Sequence, residues 1–370
     1  MKSDKSVYFI TGGGTGGHIY PAVAVADYLA DEGGNVIYYV GNPGNLEFDI
    51  VANKSYEFLP VNVSGMPRKA CVDILKWGIK LLFAVFKCMF YILKYKPDVV
   101  FGTGGYVSAP ALFAAKILKV PYVLHDCDSK PGLVTRSLAS GAASVSLAFD
   151  CAQIYINNEN CFINGNPLRA GFKLLSKEKA RENLGLENRL TLCIMGGSQG
   201  AKSINTASVD ILKTLSQKYN VQIIFQTGKK KFQTVIDNLS AVYPDYESDK
   251  NLIVKPYFDD MVSVLKASDI AVSRAGSLSI SELCASGIAT IFVPYPHAAA
   301  DHQRKNAKYM EECGAGIYIE DEELTPEKLL ELISDLIENP LKLQNLQNAA
   351  HSLAKYDGIN SIIKQIREAG

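Results

Sequence analysis

The stretch that decides the fold is Ile10-Thr11-Gly12-Gly13-Gly14-Thr15-Gly16-Gly17-His18. Five of its nine residues are glycine, it follows an apolar run at residues 7–10, and it ends in one of only five histidines. Glycine lets the backbone approach a charged group closely, and a helix that follows such a loop points the positive end of its dipole at the same place. The stretch therefore predicts a strand, an anion-binding turn and a helix, in that order.

Two familiar kinds of nucleotide site do not fit this loop. A G-x-G-x-x-G pattern runs through Gly12, Gly14 and Gly17, but a dinucleotide site also needs a carboxylate at the end of the second strand to hold a ribose hydroxyl. The second strand-like run, residues 36–40, ends in Gly41-Asn42-Pro43 and has no carboxylate there. A P-loop is excluded too, because no Gly-Lys-Ser/Thr closes the loop. An anion site of another kind and a merely tight turn remain open.

A second loop of the same kind lies about half a chain length further on. Residues 190–195 read as a strand that ends in Gly196-Gly197-Ser198-Gln199-Gly200-Ala201, and a helix follows from about residue 203. Around both loops, short β-branched runs alternate with segments of helical period, which is typical of parallel sheets covered by helices. Further strands are predicted at residues 36–40, 99–101, 122–124, 144–146, 221–225, 252–254, 270–272 and 290–293.

The predicted fold class is therefore α/β, with two Rossmann-like doubly wound parallel-sheet domains. A turn-rich segment at residues 164–169 separates them. We expect one domain over residues 1–165 and a second over residues 166–355, facing each other across a cleft. The final helix, within residues 356–370, is expected to pack back on the first domain.

Composition narrows the classes of function. Lysine and arginine together number 38, as do aspartate and glutamate, so no global field favours nucleic acid as a partner. The eight cysteines form no C-x-x-C pair, which indicates free thiols in a reducing compartment and no structural metal site. The first apolar run is too short for a signal peptide. A cytosolic chain is expected.

One helical segment, residues 74–93, has an unusual mixture of side chains. It is mostly apolar, but Lys76, Lys80 and Lys87 interrupt it, and lysines at these depths argue against a transmembrane helix. One interpretation is a helix that covers the sheet and has a solvated lysine face. The other is a helix that lies on anionic membrane lipid, with Trp77, Phe83 and Phe90 in the headgroup region and Lys80 and Lys87 pairing with lipid.

Several motifs, taken together, resemble the MurG family of peptidoglycan glycosyltransferases, which has the GT-B fold. The resemblance covers nearly the whole chain. The motifs are Gly13-Gly14-Thr15-Gly16-Gly17-His18 with Pro21, Gly102-Thr103-Gly104-Gly105-Tyr106-Val107-Ser108, His125-Asp126, Gly165-Asn166-Pro167-Leu168-Arg169, Gly196-Gly197-Ser198-Gln199-Gly200-Ala201, Phe258-Asp259-Asp260-Met261, Ser273-Arg274-Ala275-Gly276 through Ser281-Glu282, and Asp301-His302-Gln303 with Asn306-Ala307.

The resemblance implies transfer of N-acetylglucosamine from UDP-N-acetylglucosamine to lipid I, the undecaprenyl-pyrophosphoryl-muramyl-pentapeptide, which gives lipid II. It implies a protein bound peripherally at the cytoplasmic face of the cell membrane. It also implies that the sugar donor is held mostly by the second domain, through Ser198, Phe258, Arg169, Glu282 at the ribose and Gln303 at the sugar, with Ser277, Leu278, Ser279, Ile280 and Ser281 in the same segment. Thr15, Gly16 and Gly17 would close over the donor from the first domain.

One position departs from the family pattern. Where the family commonly shows His-Glu-Gln-Asn, this chain has His125-Asp126-Cys127-Asp128. Asp128 thus stands where an asparagine would touch the donor sugar, and it keeps an acceptor but loses the amide hydrogen-bond donor. The resemblance implies that Asp128 is among the donor-binding residues.

The mechanism expected from these residues is a single inverting displacement. His18 is the preferred general base, because the pKa of an unperturbed imidazole lies near working pH, and His125 and Asp126 are the reserve candidates. Amide groups of the first loop are expected to cradle the acceptor pyrophosphate, with contributions from Gly13, Gly14, Gly104, Gly105 and Tyr106. The Asp-x-Asp sequence of this chain, Asp126-Cys127-Asp128, belongs to the histidine motif, so a metal-bridged diphosphate is not expected. No cofactor or metal is expected to be required, and magnesium is expected only as an aid to UDP release.

Three alternatives remain. A UDP-N-acetylglucosamine 2-epimerase has the same fold and the same nucleotide sugar but no acceptor. A glucosyltransferase acting on diacylglycerol has similar donor chemistry but needs no pyrophosphate site. A non-enzymatic membrane-docking subunit would have a degenerate donor site, which the full set of second-domain motifs argues against.

Overall fold

The computed structural model describes residues 5–67, 71–169 and 171–370, with only the backbone at residues 71 and 72. The chain divides into two compact units. Unit 1 consists of Met1–Pro167 together with Asp357–Gly370, and unit 2 consists of Leu168–Tyr356. Each unit is built on one parallel sheet, which confirms the predicted α/β class.

Unit 1 contains a seven-stranded parallel sheet within its described residues, in the order β3-β2-β1-β4-β5-β6-β7. Its elements are β1 (Val7–Thr11), α1 (Gly16–Asp31), β2 (Val36–Gly41), α2 (Leu46–Val51), β3 (Glu57–Pro60), α3 (Cys71–Tyr95), β4 (Val99–Gly102), α4 (Gly105–Leu118), β5 (Tyr122–Asp126), α5 (Leu133–Leu138), β6 (Ser144–Leu147) and β7 (Cys161–Ile163).

Unit 2 contains a six-stranded parallel sheet within its described residues, in the order β10-β9-β8-β11-β12-β13. Its elements are α6 (Gly171–Leu174), α7 (Lys177–Leu184), β8 (Thr191–Met195), α8 (Lys202–Val209), α9 (Leu212–Gln217), β9 (Gln222–Gln226), α10 (Phe232–Val242), β10 (Leu252–Lys255), α11 (Met261–Ala267), β11 (Ile270–Ser273), α12 (Ser277–Ser286), β12 (Ala289–Phe292), α13 (His302–Glu312), β13 (Ile317–Tyr318), α14 (Pro326–Glu338) and α15 (Pro340–Ser352).

The last helix, α16 (Gly358–Ala369), belongs to unit 1 although it follows unit 2 in the chain. Its apolar face carries Ile362, Ile363 and Ile366, which are at most 2% exposed and pack in the same core cluster as Ile10 and Ile19. The helix thereby covers one face of the unit 1 sheet beside α1, while α3 and α4 contribute to the cluster on the other face.

The central strands were predicted from their apolar runs, whereas three short strands were not. These are β3, β7 and β13, which each lie at an edge of a sheet. Their burial is incomplete, so their sequences lack the continuous apolar run that identifies a strand buried on both faces.

Candidate active site

Both glycine-rich loops lie at the point where the strand order of a sheet reverses. In unit 1 that point lies between β1 and β4, and in unit 2 between β8 and β11. In sheets of this kind, ligands bind outside the carboxyl ends of the strands at the reversal, because the two flanking loops diverge there. The topology therefore marks one candidate ligand site in each unit.

The loops after β1 and β4 are interlocked in unit 1. A Cβ at Gly12 would lie 2.0 Å from the Thr103 Oγ1 atom, and one at Gly105 would lie 2.6 Å from the Gly13 carbonyl oxygen. Thr103 Oγ1 donates to the His18 carbonyl oxygen at 2.6 Å. The glycines are therefore required by close packing of backbone, and they bring the residues predicted for the acceptor into one place.

Tyr106 completes this cluster. Gly14 has a φ of +86°, and a Cβ there would lie 2.8 Å from the Tyr106 ring. The Tyr106 hydroxyl accepts a hydrogen bond from Asn45 Nδ2 at 3.1 Å. The ring is thus held against the loop, and the predicted set Gly13, Gly14, Gly104, Gly105 and Tyr106 forms one surface.

His18 lies at the centre of the unit 1 site. Its ring is half-buried, and Nδ1 is 2.8 Å from Thr15 Oγ1. Gly104 has a φ of +83°, which favours glycine, and a Cβ there would make a tight contact of 3.3 Å with His18 Cδ2. Thr15 fixes the ring orientation, and Cys127 and Asp128 lie beside the same ring.

Glu47 is a site residue that the sequence analysis missed. Its side chain is fully buried, and its carboxylate accepts from the Gly14 N–H at 3.3 Å and from the Asn42 N–H at 3.3 Å. No motif marks it, because it lies in the short helix α2 rather than at the end of β2. The Gly14 amide is thus engaged by a carboxylate, and a pyrophosphate on this loop would have to accommodate that charge.

The reserve base His125 has a different environment from His18. It is completely buried, its Nδ1 is 3.0 Å from Ser146 Oγ, and its Nε2 is 3.1 Å from Asn166 Oδ1. Burial lowers the pKa of His125 to about 4, since desolvation disfavours the imidazolium. With both nitrogens engaged inside the protein, His125 is placed as a structural residue and has no access to a substrate hydroxyl.

Asp126 is also buried, at 1% exposed. Its carboxylate accepts from the Asp128 N–H at 3.2 Å and from the Gly132 N–H at 3.0 Å. Burial and the nearby Asp128 carboxylate raise the pKa of Asp126. Its contacts organise the segment after β5, which is a positioning role rather than that of a base.

In unit 2, the second glycine loop packs against the end of β9. Gly197 and Gly200 have φ values of +80° and +72°, and a Cβ at Gly200 would lie 2.0 Å from the Thr227 carbonyl oxygen. Ser198 is on the exposed outer side of this loop. The loop is therefore held by backbone contacts while its predicted phosphate-binding side chain faces outward.

Gln226 is a second site residue that the sequence analysis missed. It connects two predicted donor-binding segments, the glycine loop after β8 and the segment that contains Phe258. Its side chain, 3% exposed, donates to the Gly197 carbonyl oxygen at 3.5 Å and accepts from the Phe258 N–H at 3.0 Å. Phe258 is itself buried, and Lys255 Nζ lies 5.4 Å from the centre of its ring. Asp260 caps α11 by accepting from the Ser263 N–H at 3.0 Å.

Helix α12 carries most of the other predicted donor-binding residues. Ser277 and Ile280 are buried, and Leu278, Ser279 and Ser281 are partly exposed. Asn306 of α13 donates to the Ala275 carbonyl oxygen at 3.3 Å, which fixes the start of the helix. The amino terminus of α12 follows β11 and so flanks the reversal point beside the second glycine loop.

Glu282 forms an ion pair with Arg169. The Arg169 Nη2 atom is 2.6 Å and its Nε atom 3.1 Å from Glu282 Oε1. Burial raises the pKa of the Glu282 carboxyl, and the guanidinium offsets part of that rise. Two predicted donor-binding residues are thus brought into direct contact.

Gln303 lies in a strained turn at the start of α13. Its Oε1 atom accepts from the Tyr295 N–H at 2.9 Å. The preceding Ala300 and Asp301 both have positive φ, at 51° and 58°. Non-glycine residues in this region cost about 1–3 kcal/mol each and are concentrated at functional sites.

Helix α3 has an exposed apolar stripe, which we define as Leu75, Ile79, Leu82, Phe83, Phe86, Phe90 and Leu93. Each of these side chains is between 48% and 70% exposed. The opposite face, with Ala84, Val85, Cys88 and Ile92, is buried in the unit 1 core. The apolar character of the stripe is therefore not explained by packing within its own unit. Trp77, in contrast, is only partly exposed and donates to the Ser64 carbonyl oxygen at 2.8 Å.

The lysines of α3 run alongside this stripe. Lys80 and Lys87 are exposed, and both line a groove of about 390 Å³ with Asn42, Asn62 and Ser64. Among the described residues, no helix is both long and apolar enough to cross a bilayer.

Comparison with known proteins matches both units. The family model described as glycosyltransferase family 28 N-terminal domain matches residues 8–147, and the glycosyltransferase family 28 C-terminal domain matches residues 191–365. The crystal structure of Acinetobacter baumannii MurG has a TM-score of 0.79 and 27% identity, covering 98% of this chain and 99% of that chain. Two parallel-sheet domains with this likeness constitute the GT-B fold.

Sequence relatives extend over almost the full length. A protein of Desulfitobacterium hafniense (strain Y51) is 37% identical over 357 residues, or 96% of each chain. A protein of Desulforamulus reducens is 36% identical over 366 residues, or 97% of each chain. Both are named UDP-N-acetylglucosamine–N-acetylmuramyl-(pentapeptide) pyrophosphoryl-undecaprenol N-acetylglucosamine transferase. This chain therefore belongs to the MurG family of glycosyltransferases, with the two domains of glycosyltransferase family 28 in its two units.

Proposed function

We propose that this chain transfers N-acetylglucosamine from UDP-N-acetylglucosamine to the C4 hydroxyl of the muramyl sugar of lipid I, forming lipid II. The observation that carries the proposal is the near-full-length match to relatives whose name states this transfer. The site geometry supports it, because each unit has a glycine-lined loop at its sheet reversal and one unit holds a histidine suited to act as a base.

The nucleotide sugar binds to unit 2 in this proposal. Glu282 accepts hydrogen bonds from the ribose hydroxyls, and Arg169, which pairs with Glu282, contributes to the same site. Ser198 and the amides of its loop bind the diphosphate, together with the amino terminus of α12. Gln226 connects this loop to the Phe258 segment through hydrogen bonds to both. Gln303 contacts the sugar.

His18 is the general base of the reaction. With Nδ1–H donating to Thr15 Oγ1, the Nε2 atom carries the lone pair that accepts the proton of the muramyl hydroxyl. The hydroxyl oxygen forms a bond to C1 of N-acetylglucosamine, the bond from C1 to the diphosphate oxygen breaks, and configuration at C1 inverts. UDP leaves with the electron pair, and amide N–H groups stabilise its charge without a required metal. Magnesium acts in this proposal only on UDP release.

Membrane attachment is through α3. The exposed apolar stripe enters the headgroup region, and Lys80 and Lys87 pair with anionic lipid. In this proposal the protein is bound peripherally at the cytoplasmic face of the membrane. The groove that Lys80 and Lys87 line also has Asn42 in its wall, and the Asn42 N–H donates to Glu47, the residue that contacts the first glycine loop. In this proposal the lipid-linked acceptor binds to unit 1. No nucleic acid is involved.

A panel of radiolabelled UDP-sugars and acceptors tests the proposal. We expect product only from UDP-N-acetylglucosamine with lipid I or a shorter-chain analogue of it. Product from UDP-glucose with diacylglycerol would instead identify a glycolipid glucosyltransferase. Conversion of UDP-N-acetylglucosamine without any acceptor would identify an epimerase, and binding of the nucleotide sugar with no turnover in any pairing would identify a non-enzymatic subunit.

A further inference from the structure

Three side chains of different chemistry converge at the unit 1 site. A ring nitrogen of His18, the thiol sulfur of Cys127 and a carboxylate oxygen of Asp128 all lie within 4.8 Å of one another. Cys127 is 1% and Asp128 8% exposed, while the imidazole is half-buried. The three residues come from two elements, the amino terminus of α1 and the segment that follows β5. This convergence arises from the Cys127-Asp128 pair, at which the chain departs from the usual pattern of its family.

An imidazole, a thiolate and a carboxylate form a donor set typical of zinc and related thiophilic cations. Bond lengths of about 2.0–2.3 Å in a tetrahedral site put the donor atoms roughly 3.3–3.8 Å apart. Donor atoms at the 4.8 Å limit are thus about 1.0–1.5 Å too far apart for binding, a movement that side-chain rotation can supply. One thiolate and one carboxylate also balance the double positive charge of such a cation, so the bound site would be neutral despite its burial.

The surroundings hold two of the three ligands in suitable orientations. Thr15 Oγ1 and His18 Nδ1 are 2.8 Å apart, and in the tautomer that carries its proton on Nδ1 the Nε2 atom is the coordinating nitrogen. A second partner of this kind is the usual companion of a metal-binding histidine. The Asp126 carboxylate accepts from the Asp128 N–H at 3.2 Å and so fixes the backbone that carries both Cys127 and Asp128.

We propose that His18, Cys127 and Asp128 bind one thiophilic divalent cation of the zinc class, with a fourth position open to water. Magnesium does not fit this site, because it prefers oxygen ligands in octahedral geometry. The bound cation occupies the His18 lone pair and therefore inhibits the transfer reaction. That inhibition rests on the proposed function, whereas metal binding itself does not.

Binding is tested first on metal-free protein without any substrate. Titration with Co²⁺ should produce one equivalent of a tetrahedral visible spectrum together with a thiolate-to-metal band in the near ultraviolet, and Zn²⁺ should displace it. Zinc affinity, measured by competition with a chromophoric chelator, should fall at least about ten-fold in Cys127→Ala and in Asp128→Asn, by analogy with the loss seen when even indirect metal partners are removed. Cys161→Ala is the matched control, because its thiol is in the same unit but outside the cluster.

The unfolding transition of Trp77, the one tryptophan of the sequence, verifies in each variant that unit 1, which contains both substitutions, is folded. The unfolding temperature of wild-type protein should rise on addition of Zn²⁺ and not of Mg²⁺. The proposal is overturned if the cobalt spectrum has no thiolate band, or if Cys127→Ala and Asp128→Asn bind zinc as tightly as wild type. If both variants fail to fold, the cobalt spectrum and the thermal shift of the wild-type protein still decide the question.

Activity provides a separate readout. Stoichiometric Zn²⁺ should abolish transfer by the wild-type enzyme, and a chelator should restore it. The rate of Cys127→Ala, expressed relative to the same variant without metal, should be resistant to the same concentration. Zinc binding without inhibition would retain the site but remove His18 as the base. Equal zinc inhibition of Cys127→Ala and of the wild-type enzyme would instead show that zinc does not inhibit through this site.

Discussion

At the scale of single residues, two histidines of unit 1 show how environment decides role. His18 is half-buried at a loop, with one ring nitrogen fixed by Thr15. His125 is completely buried between Ser146 and Asn166. Both occur in motifs of the family, and the sequence distinguishes them as candidate bases only by their positions in the chain. The structure leaves the His18 ring partly exposed, whereas both ring nitrogens of His125 are engaged inside the protein, which favours the proposal that His18 is the base.

Replacing His18 tests this assignment. His18→Ala should lower kcat by roughly 10²–10⁴-fold, the usual contribution of a general base, and should leave the affinity for UDP-N-acetylglucosamine nearly unchanged. Steady-state kinetics and calorimetry measure the two quantities. His351→Gln, an exposed histidine of unit 2, is the control and should be active. A His18→Ala enzyme with normal kcat would remove the residue from the chemistry.

The buried His125 predicts a loss of stability in acid. Its pKa is about 4 in the folded protein, below the ordinary value of 6.5, so the unfolded chain binds the proton more readily between these pH values. The free energy of unfolding should therefore fall by up to about 3 kcal/mol as the pH is lowered from 6.5 to 4. The pKa of Asp126 is raised in the folded protein, so the contribution of Asp126 to the free energy of unfolding increases as the pH is lowered, opposite to that of His125.

Denaturant unfolding of wild type and His125→Gln across this pH range isolates the histidine, because Asp126 is present in both proteins. The variant should be less stable at pH 7 and should have a shallower dependence on pH. Parallel pH profiles would mean that His125 is not buried in its neutral form.

At the scale of elements, the loop after β8 contains two glycines that are required for different physical reasons. Gly197 and Gly200 both have positive φ, but a Cβ at Gly197 meets nothing within 4 Å, whereas one at Gly200 would overlap the Thr227 carbonyl oxygen. The sequence marks both positions equally. The contact with the end of β9, which is tertiary, separates them.

The pair Gly197→Ala and Gly200→Ala tests this difference. Gly197→Ala should cost about 1–2 kcal/mol of stability through backbone strain alone. Gly200→Ala should cost more, because the backbone has to move, and it should also weaken UDP binding by displacing the loop. Calorimetric unfolding and UDP titration measure both effects. Equal losses in the two variants would contradict the packing argument.

Helix α3 is the element whose two faces have separate functions. Its buried face packs in unit 1, while its exposed stripe and lysines are available to a membrane. Phe83→Ser with Phe90→Ser should alter stability by no more than about 0.5 kcal/mol, because both rings are at least 61% exposed. The double variant should sediment with vesicles at least about ten-fold more weakly, since each ring otherwise gains on the order of 1 kcal/mol or more in the lipid.

The control for α3 is Ile154→Ser, which removes an equally exposed apolar side chain elsewhere in unit 1, at 82% exposure. Charge reversal at Lys80, Lys87 and Lys94 should weaken binding to anionic vesicles and have little effect on neutral ones. If all these variants sediment like the wild type, α3 is not the membrane anchor.

At the scale of the whole molecule, the chain returns to unit 1 for its last helix. The side chains of Ile362 and Ile366 are fully buried among residues more than 300 positions earlier, such as Ile10 and Ile19. Arg367 also pairs with Glu32 at the end of α1. The end of the chain therefore contributes to the stability of the unit that contains His18.

Ile366→Ala should lower the unfolding free energy of unit 1 by about 2–5 kcal/mol, as large-to-small changes in a core do. Fluorescence reports this selectively, because Trp77, the one tryptophan of the sequence, is in unit 1. Ile154→Ala, at an exposed position of the same unit, should change little. An unaltered Trp77 transition in Ile366→Ala would exclude a stabilising role for α16.

Much of the fold could be predicted because the central strands are buried on both faces and leave continuous apolar runs, as at residues 122–124. The edge strands β3, β7 and β13 leave no such run and were missed. The motif residues of the site could be named in advance, but Glu47 and Gln226 could not. Each acts through contacts made across different strands and loops, and no spacing in the sequence encodes those contacts.

The sequence by itself determined the α/β class, the two glycine loops and the family, because strand burial, positive φ and a string of separate motifs are local properties that residue order records. The tertiary structure decided which histidine is accessible, which carboxylate lies against the first loop, and that His18, Cys127 and Asp128 meet. These outcomes depend on distances between segments far apart in the chain, which are fixed only when the sheets and helices pack together.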